Sequence, residues 1–382
     1  MTHTPHDVIS PAADHAERLI LDGTKLAWHM DRVQAWERGE RIAPITIDMA
    51  LTRKCNASCS FCYAMLQNSE DHEITQEVMA GFLEDSAEMG VRGISLVSDG
   101  ESTLSPAFAF SIKRGAELGI SMANGTNAIL LTPEKAEAVL PFLTYLRVNC
   151  SAGQPKRYAE IMGMPERMFD RMVTNVAHMV RFKQEAHLGV TLGLQMVLMP
   201  QDADQIIPFA QLGIDLGVDY AIIKHCSDDE DGSIGVDYGK YAALTPLLRQ
   251  AEAMSTPRTQ IVIKWNKIGV GNARSYSRCF GPPFLIQISG SGLVAPCGML
   301  FNAKYSKFHI GNIVTQRWRD IWRSDRYWEV MNYLASARFD ASRMCGALCL
   351  QDMVNRTLNE HVKGTIPLVA AAEAPPAHLN FV

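Results

Sequence analysis

Three cysteines near the start of the chain are spaced like ligands to a metal cluster. Cys55, Cys59 and Cys62 are separated by three and then two residues, and the aromatic Phe61 directly precedes the last of them. Cysteine thiolates are the usual ligands of iron–sulfur clusters, and a loop with these spacings can reach three corners of one [4Fe–4S] cluster. The fourth iron then has no protein ligand and can bind a small molecule directly, which a catalytic cluster requires.

A second set of four cysteines lies in the last third of the chain. It consists of Cys279, Cys297, Cys345 and Cys349. Segments 284–289 and 293–296 have the pattern of a hairpin around a Ser-Gly-Ser-Gly turn, which would bring the first two of these cysteines side by side. Four thiolates would complete the ligand set of one further [4Fe–4S] cluster.

Disulfides and zinc are the alternatives for these cysteines. Disulfides are a poor account, because the chain is long and its nine cysteines are sparse, odd in number and partly clustered. Zinc sites usually contain two Cys-x2-Cys pairs or Cys together with His, and the first set has one such pair, Cys59 and Cys62, with neither a second pair nor a histidine. For the second set the spacing favours a cluster, and a structural zinc bound by the same four thiolates is the alternative.

The composition is that of an ordinary soluble globular protein. The 382 residues are 47% hydrophobic and 20% charged, with a formal net charge of -5. Such a chain offers no basic field to a phosphate backbone, so we expect no nucleic-acid partner. The N-terminus lacks the basic start and apolar core of a signal peptide, and no apolar run approaches membrane-spanning length. We therefore expect a cytoplasmic protein with no membrane partner.

Strand and helix patterns alternate through the region that contains the first cysteine set. The predicted strands are 45–51, 94–97, 120–123, 145–150, 190–198 and 220–224. The predicted helices between them are 76–89, one after Ser105-Pro106, one after Thr132-Pro133, 168–183 and 204–216. Strand–helix units of this kind form a curved parallel sheet whose functional loops lie at the carboxyl ends of the strands. The first cysteine set lies at that end, because it directly follows the first strand.

The pattern changes beyond residue 242, where a helix to residue 253 and a strand at 260–265 lead into a Gly- and Pro-punctuated segment. Single cores stop growing at roughly 250 to 300 residues, so two domains are expected. We predict a helical N-terminal extension, a barrel domain, a cysteine-bearing domain and an Ala- and Pro-rich tail, at 1–44, 45–255, 256–365 and 366–382 respectively.

The first cysteine set resembles the C-x3-C-x-aromatic-C motif of the radical S-adenosylmethionine superfamily. The resemblance implies an α/β fold, a partial (β/α)6 TIM-like barrel. It also implies that Cys55, Cys59 and Cys62 hold a [4Fe–4S] cluster with an open iron site, which binds S-adenosyl-L-methionine near Phe61. An electron from the cluster, supplied by a reductant such as flavodoxin or ferredoxin, would cleave the sulfonium to methionine and a 5'-deoxyadenosyl radical.

Polar residues at the ends of three predicted strands extend the resemblance. Residues 98–101 resemble the Gly-Gly-Glu motif that binds the methionine amino group, an ammonium for which carboxylates and carbonyls are suitable partners. The candidate ligands there are Asp99, which replaces the first glycine, Gly100 and Glu101. Asn149 and Ser151 share one face of their strand because side chains alternate, and the resemblance assigns that face to the ribose. Gln195 either faces the cofactor or makes a structural hydrogen bond.

The second cysteine set resembles the C-terminal iron–sulfur extension called SPASM, or twitch where it holds one auxiliary cluster. Residues 310–313 and the tryptophans that follow them also look like that extension. A full SPASM domain would need further cysteines, and only Cys150 and Cys226 are left over, so we predict one auxiliary [4Fe–4S] cluster. The last two cysteines of the set have three residues between them instead of the commoner two, so the ligation could be incomplete or could leave an iron accessible to substrate.

The resemblance implies an enzyme, and the substrate has to be inferred. We expect an oxidoreductase or epimerase that acts on a small polyhydroxylated molecule, such as a sugar, aminocyclitol or nucleotide sugar, because relatives with one auxiliary cluster often take small substrates. A peptide-modifying maturase is the alternative, since SPASM relatives also act on peptides. A non-catalytic electron carrier is a third reading, against which the open iron and the motif at 98–101 argue.

One further cysteine could decide the outcome of the reaction. Cys226 follows Lys224 and His225 at the end of the sixth predicted strand, where a substrate would lie. A thiol there could return a hydrogen atom to the substrate radical and invert a stereocentre, as epimerases of the superfamily do. The alternative is an ordinary buried cysteine. Lys224 and His225 could pair with an anionic substrate or with the acidic run that follows them.

Overall fold

The computed structural model describes residues 25–67, 72–269, 274–346 and 349–382. Its strands are β1 (Thr46–Met49), β2 (Gly93–Leu96), β3 (Ser121–Thr126), β4 (Leu143–Asn149), β5 (Thr191–Leu198), β6 (Tyr220–His225), β7 (Gln260–Ile263), β8 (Leu285–Ile288), β9 (Leu293–Ala295) and β10 (Gly311–Asn312). Its helices are α1 (Met30–Glu37), α2 (Gln76–Met89), α3 (Phe108–Glu117), α4 (Pro133–Val139), α5 (Pro155–Met162), α6 (Arg167–Glu185), α7 (Ile206–Leu216), α8 (Thr245–Ala253), α9 (Trp265–Ile268), α10 (Trp318–Arg323), α11 (Asp325–Ala335), α12 (Ala341–Met344) and α13 (Asp352–Val362).

These strands form one sheet in the order β10-β9-β8-β1-β2-β3-β4-β5-β6-β7. Strands β1 to β7 are parallel to their neighbours, and β8 pairs in parallel with β1 on the other side. The hairpin partner β9 and the short β10 are antiparallel. The order is linear and leaves two edges, so the sheet curves without closing, and the predicted partial barrel is confirmed.

The predicted strand–helix alternation is present. The structure adds one helix to it and continues the sheet beyond residue 255. Helix α2 has the predicted bounds, with Thr75 capping its first turn and Gly90 in the left-handed conformation after its end. Helix α5, between β4 and α6, was missed. Strands β7 and β8 lie beyond residue 255 and continue the barrel sheet, while the division into four regions stays a prediction. Residues 1–24 of the predicted extension lie outside the described residues.

The two faces of the sheet differ in polarity. Apolar side chains fill the space between the outer face and the helices, among them the fully buried Ile94, Leu146 and Leu194. On the concave face, Ser95 Oγ and Tyr145 Oη are 2.9 Å apart although β3 lies between their strands. Side chains alternate along a strand, so Arg147 and Asn149 share the concave face with Tyr145.

The C-terminal tail closes the amino end of the barrel. Thr46 Oγ1 donates to the Asn380 carbonyl at 2.8 Å, and the rings of Phe381 and Tyr145 pack with centroids 5.0 Å apart. Gly93 leaves the necessary space, since a Cβ there would lie 2.4 Å from the Asn380 oxygen. Residues 366–382 contain neither helix nor strand, and they are docked on the barrel through these contacts. Within the described ranges, no helix combines the length and apolar character needed to cross a bilayer.

Candidate active site

The first cysteine set lies on the loop after β1, at the carboxyl edge of the sheet. Two backbone hydrogen bonds attach this loop to the end of α5: Ser58 N donates to Met162 O at 3.1 Å, and Ser60 N donates to Ile161 O at 2.9 Å. The Met162 sulfur lies 4.0 Å from Cys59 Sγ. The helix that sequence reasoning missed therefore supports the cysteine loop.

Two glycines let other backbone segments approach the base of this loop. Gly100 has a φ of +96°, and a Cβ there would lie 2.1 Å from the Thr52 carbonyl oxygen. Gly290, in the turn between β8 and β9, would place a Cβ 2.2 Å from the Thr52 carbonyl carbon. Glu101 N donates to Lys54 O at 2.9 Å across the same junction. Gly100, a predicted cofactor residue, therefore has a packing role: its positive φ and its contact with the backbone of Thr52 leave no space for a side chain.

Asp99 joins the loop after β2 to the β8–β9 hairpin. Its buried carboxylate accepts hydrogen bonds from Ser289 Oγ at 2.7 Å and from Gly290 N at 2.8 Å, and Arg53 Nε lies 3.5 Å away. The carboxylate is therefore already paired. Its structural role is to fix the hairpin that leads to Cys297 against the base of the first cysteine loop.

Glu101 joins the ends of β2 and β3 beside the first cysteine set. Its buried carboxylate accepts hydrogen bonds from Thr126 Oγ1 and Asn127 N, each at 2.8 Å. The side-chain Nδ2 of Asn127 in turn donates to Oδ1 of Asn56, a residue of the cysteine loop, at 2.7 Å. Burial, and to a smaller extent the charge of Glu101, raises the pKa of the Cys55 thiol. The predicted carboxylate and the predicted cluster ligands are brought together.

The three thiols of this set are mutual neighbours. Burial first, and then the Cys62 and Cys55 thiolates, raise the pKa of the Cys59 thiol to about 12. Metal binding deprotonates a thiol outright, so a cationic cluster would relieve this repulsion. In the part of the chain described, no three His, Cys, Asp or Glu side chains are arranged around a single metal ion. Three thiols on one supported loop fit a cluster that takes a separate ligand at each of three irons.

The predicted ribose-side residues lie on neighbouring strands. Gln195 Nε2 donates to Asn149 Oδ1 at 3.2 Å, and the two residues are register partners on β5 and β4. Gln195 thus makes a structural hydrogen bond and also lies on the concave face. Ser151 Oγ accepts from Val197 N at 3.1 Å and is fully buried, so this hydroxyl fixes the end of β4.

Cys226 and Phe61 are in contact. Cys226 Sγ lies 3.9 Å from the Phe61 carbonyl oxygen, and the side chain is fully buried. Cys226 N donates to Tyr241 Oη, whose hydroxyl donates to Leu198 O at 2.5 Å. Burial raises the pKa of the Cys226 thiol to about 12. The candidate hydrogen donor therefore lies immediately behind the first cysteine loop.

The second cysteine set also forms one group. Burial, and then the charges of the other three thiols, raise the pKa of Cys279 well above its ordinary value; these three are Cys349, Cys345 and Cys297. Asn355 Nδ2 donates to Cys279 Sγ at 3.5 Å, and Tyr276 Oη lies 3.6 Å from Cys349 Sγ. The predicted hairpin is present, with Ile288 paired to Val294. Residues 347 and 348 lie outside the described residues.

Two cations that sequence reasoning missed face the second set. Burial lowers the pKa of Arg274, but the Cys349 and Cys345 thiolates outweigh it and raise that pKa overall. Burial lowers the pKa of Lys267, whose charged form Cys349 and Asp352 favour. Positive charges beside these thiols would offset the negative charge of a thiolate-bound cluster. No local sequence pattern indicates these two residues, because only the tertiary fold places them near the cysteines.

Tyr63 is a neighbour of both cysteine sets. Burial raises the pKa of Tyr63 above its ordinary value, and the charges of Asp99, Cys62, Asp48 and Cys297 add to that effect. Tyr63 therefore has thiols of both sets as neighbours. It directly follows the last cysteine of the first motif, but the motif gave it no role.

A charged residue lies deeper in the barrel interior. Asp48, in the middle of β1, is the register partner of Ser95 and Gln287. Burial raises the pKa of Asp48 to about 7, against the opposing charges of Arg147 and Lys224. A carboxylate inside an otherwise apolar predicted strand was the sequence signal that could have identified it.

Two family models match the chain. Residues 49–212 match the Radical SAM superfamily, and residues 279–349 match SPASM, an iron–sulfur cluster-binding domain. The first matched segment contains the loop after β1, and the second begins and ends on cysteines of the second set.

Curated relatives match over most of their length. The chain is 24% identical over 303 residues to an AdoMet-dependent heme synthase of Methanosarcina barkeri. The aligned region covers 74% of this chain and 83% of the relative. It is 19% identical over 311 residues to a tungsten-containing aldehyde ferredoxin oxidoreductase cofactor-modifying protein of Pyrococcus furiosus, which covers 77% and 86%.

Among solved structures, the fold is similar to that of Streptococcus suis SuiB. The SuiB structure bound to S-adenosylmethionine has a TM-score of 0.61 at 18% identity, covering 89% of this chain and 79% of SuiB. The structure bound to the precursor peptide SuiA has a TM-score of 0.61 at 17% identity, covering 88% and 77%. Both cysteine sets lie in the matched segments, so the chain contains a radical SAM domain, which implies S-adenosylmethionine and a [4Fe–4S] cluster, and a SPASM domain, which implies auxiliary iron–sulfur clusters.

Proposed function

We propose that this radical SAM enzyme takes a hydrogen atom from a small polyhydroxylated substrate and releases it in oxidised or epimerised form. When bound to Cys55, Cys59 and Cys62, the cluster supplies the electron that cleaves S-adenosylmethionine to methionine and a 5'-deoxyadenosyl radical, with flavodoxin or ferredoxin as the class of reductant. The observation that carries the proposal is the shared position of the three thiols and Glu101 at the carboxyl edge of the barrel.

The enclosure of the interior supports a small substrate. The docked tail covers the amino end of the barrel. At the other end, the loop after β6 is tied to the second domain: Lys304 Nζ lies 2.8 Å from Asp231 Oδ2 and 3.2 Å from Glu230 Oε1. A Cβ at Gly346 would lie 2.6 Å from the Asp229 carbonyl carbon, so this loop packs directly against the second cysteine set.

A cavity remains beside this crossing. It has a volume of about 140 Å³, and its lining includes Leu66, Gln67, Ser233, Met299 and Asn302. Small-molecule sites typically have volumes of about 300 to 1,000 Å³, whereas an extended peptide needs an open groove. At about 140 Å³ this cavity is smaller than such a site, so the support for a small substrate is the enclosure of the interior at both ends and not the size of this cavity.

The relatives support both substrate classes to different degrees. The names of the two curated relatives refer to heme and to an enzyme cofactor, which are not peptides. SuiB binds a precursor peptide on a similar fold. Peptide modification is therefore the second candidate function.

The substrate class can be tested without knowing the substrate. Reduced holoenzyme with S-adenosylmethionine is given the dialysable fraction of a cell extract, before and after exhaustive peptidase treatment, and 5'-deoxyadenosine is measured. We expect the fraction to stimulate formation several-fold and the stimulation to survive the peptidase. Stimulation that the peptidase abolishes would instead establish the peptide-modifying alternative.

The position of Cys226 favours oxidation over an epimerisation in which Cys226 is the hydrogen donor. A hydrogen donor that inverts a stereocentre must approach the substrate opposite the abstracting radical, but Cys226 Sγ lies against the Phe61 carbonyl, on the cluster side of the site. We therefore expect Cys226→Ala to keep turnover within about twofold and to lose about 1 kcal/mol of stability from reduced packing. Turnover in D2O should leave the product without a solvent deuterium at carbon. Loss of product with continued 5'-deoxyadenosine release would assign the donor role to Cys226.

A further inference from the structure

Two cations lie on the concave face of the barrel without a counter-charge in contact. Arg147 lies between Tyr145 and Asn149 along β4, and all three face the interior. Lys224 is the register partner of Val197, which shares a face with Gln195 of β5. Both cations therefore point into the space enclosed by the sheet.

Neither side chain has a hydrogen-bond or ion-pair partner within the described ranges. The Arg147 guanidinium lies 5.9 Å from the centroid of the Tyr145 ring, a weak cation–π contact. Two other enclosed cations are paired: Lys25 Nζ donates to Phe381 O at 2.7 Å, and Lys183 Nζ lies 2.6 Å from an Asp219 carboxylate oxygen. Arg147 and Lys224 are both half-buried, and a half-buried cation without such a partner loses part of its hydration with no counter-charge in return, which a bound anion would supply.

The strands beside Arg147 have glycines at the paired positions. Its register partners are Gly125 on β3 and Gly193 on β5. A Cβ at Gly125 would lie 2.5 Å from Val97 Cγ1, and a Cβ at Gly193 would lie 2.2 Å from the Tyr220 ring. The side chains of Val97 and Tyr220 therefore occupy the space beside Arg147, which is half-buried and keeps part of its surface accessible.

The interior charge is unbalanced. Burial lowers the pKa of Lys224 well below its ordinary value, and the positive charges of Arg147, Lys267 and Lys264 add to that shift. The acidic neighbour of Arg147 and Lys224 is Asp48, whose pKa is raised to about 7, so it is partly neutral near pH 7. Lys267 has Cys349 and Asp352 as neighbours that favour its charged form, whereas Lys224 faces the space inside the barrel, where a bound anion would favour the charged form of its amine.

We infer that Arg147 and Lys224 form a subsite for one anionic group, a carboxylate or a phosphate, of a molecule bound in the barrel. Guanidinium and ammonium groups bind such oxyanions through charge-assisted hydrogen bonds. The inference deepens the proposed function, on which it rests, by making the substrate an acidic or phosphorylated small molecule. The same chemistry suits the methionine carboxylate of S-adenosylmethionine, and the test separates these two sources.

Inorganic phosphate is the probe, titrated calorimetrically into reconstituted holoenzyme. Arg147→Met and Lys224→Met keep an unbranched, flexible side chain and remove the charge. Lys240→Met is the matched control, because Lys240 is a surface lysine with 72% of its side chain exposed. We expect each interior variant to weaken phosphate binding at least about tenfold, as loss of a charge-assisted hydrogen bond does, while the control binds like the wild type. Far-ultraviolet circular dichroism and iron content confirm that the variants are folded and loaded.

Equilibrium dialysis of S-adenosylmethionine on the same samples identifies the source of the anion. Unchanged cofactor affinity in both interior variants assigns the subsite to the substrate, whereas a parallel tenfold loss assigns it to the methionine carboxylate. Wild-type affinity for phosphate in both variants, or no phosphate binding by the wild type, would overturn the inference. The proposed function is scored separately, by 5'-deoxyadenosine release from the wild type, so either can fail without the other.

Discussion

Replacing Cys59 with alanine should abolish 5'-deoxyadenosine formation, a loss of at least about a thousandfold, and should remove about four of the about eight iron atoms that we expect per chain. Cys59 is the middle ligand of the first set, between Cys55 and Cys62, and its thiol lies beside Met162 of α5. Without it, the loop offers two thiolates, too few to hold a cluster with one open iron. Iron, sulfide and 5'-deoxyadenosine are measured on anaerobically reconstituted protein.

The matched control is Cys150→Ala. Cys150 is fully buried at the end of β4 and belongs to neither cysteine set. Its replacement removes a sulfur atom of the same kind and should leave iron content and cofactor cleavage unchanged. Full cofactor cleavage by the Cys59 variant would contradict the assigned ligand set, as would equal losses in both variants.

The second large effect is expected at Cys297. Cys297→Ala should also remove about four iron atoms per chain, yet it should leave reductive cleavage of S-adenosylmethionine in place, because the first cysteine loop keeps its own supports. Those supports are the contacts with α5 and the Asp99 carboxylate, which holds the turn of the β8–β9 hairpin. Substrate oxidation should fall at least about a hundredfold, since the electron left on the substrate then has no acceptor.

Metal analysis of the wild type gives the matching control for this prediction. Iron and sulfide equivalent to two clusters, without zinc, supports an auxiliary cluster on the second set. About four irons per chain with one equivalent of zinc would contradict it, because the second set would then be a structural zinc site. Full substrate oxidation by the Cys297 variant would remove the electron-acceptor role.

Local sequence patterns predicted much of the barrel and both cysteine sets. The spacing of the cysteines could be read from the sequence because the ligands that one loop gives to a cluster must lie close together along the chain. The bounds of helix α2 could be predicted from its own capping residues, Thr75 and Gly90. The β8–β9 hairpin was also predictable, because its turn sequence and its strands are contiguous. These features depend on neighbours along the chain.

The features that were missed depend on contacts between distant segments. Nothing near Asp99 in the sequence indicates that it accepts a hydrogen bond from Ser289, and nothing near Gly93 indicates that the Asn380 carbonyl packs on it. The pairing of β8 with β1 likewise joins segments more than two hundred residues apart. Helix α5 was missed because it is short and follows β4 closely, although its end supports Cys59.

The central claim is that the loop after β1 holds a cluster that cleaves S-adenosylmethionine reductively. The measurement that tests it most directly is 5'-deoxyadenosine and methionine release by the reduced wild-type holoenzyme, with Cys59→Ala alongside. We predict equal amounts of the two products from the wild type and none from the variant. A fully reconstituted, reduced wild-type enzyme that binds the cofactor and releases neither product would contradict the account.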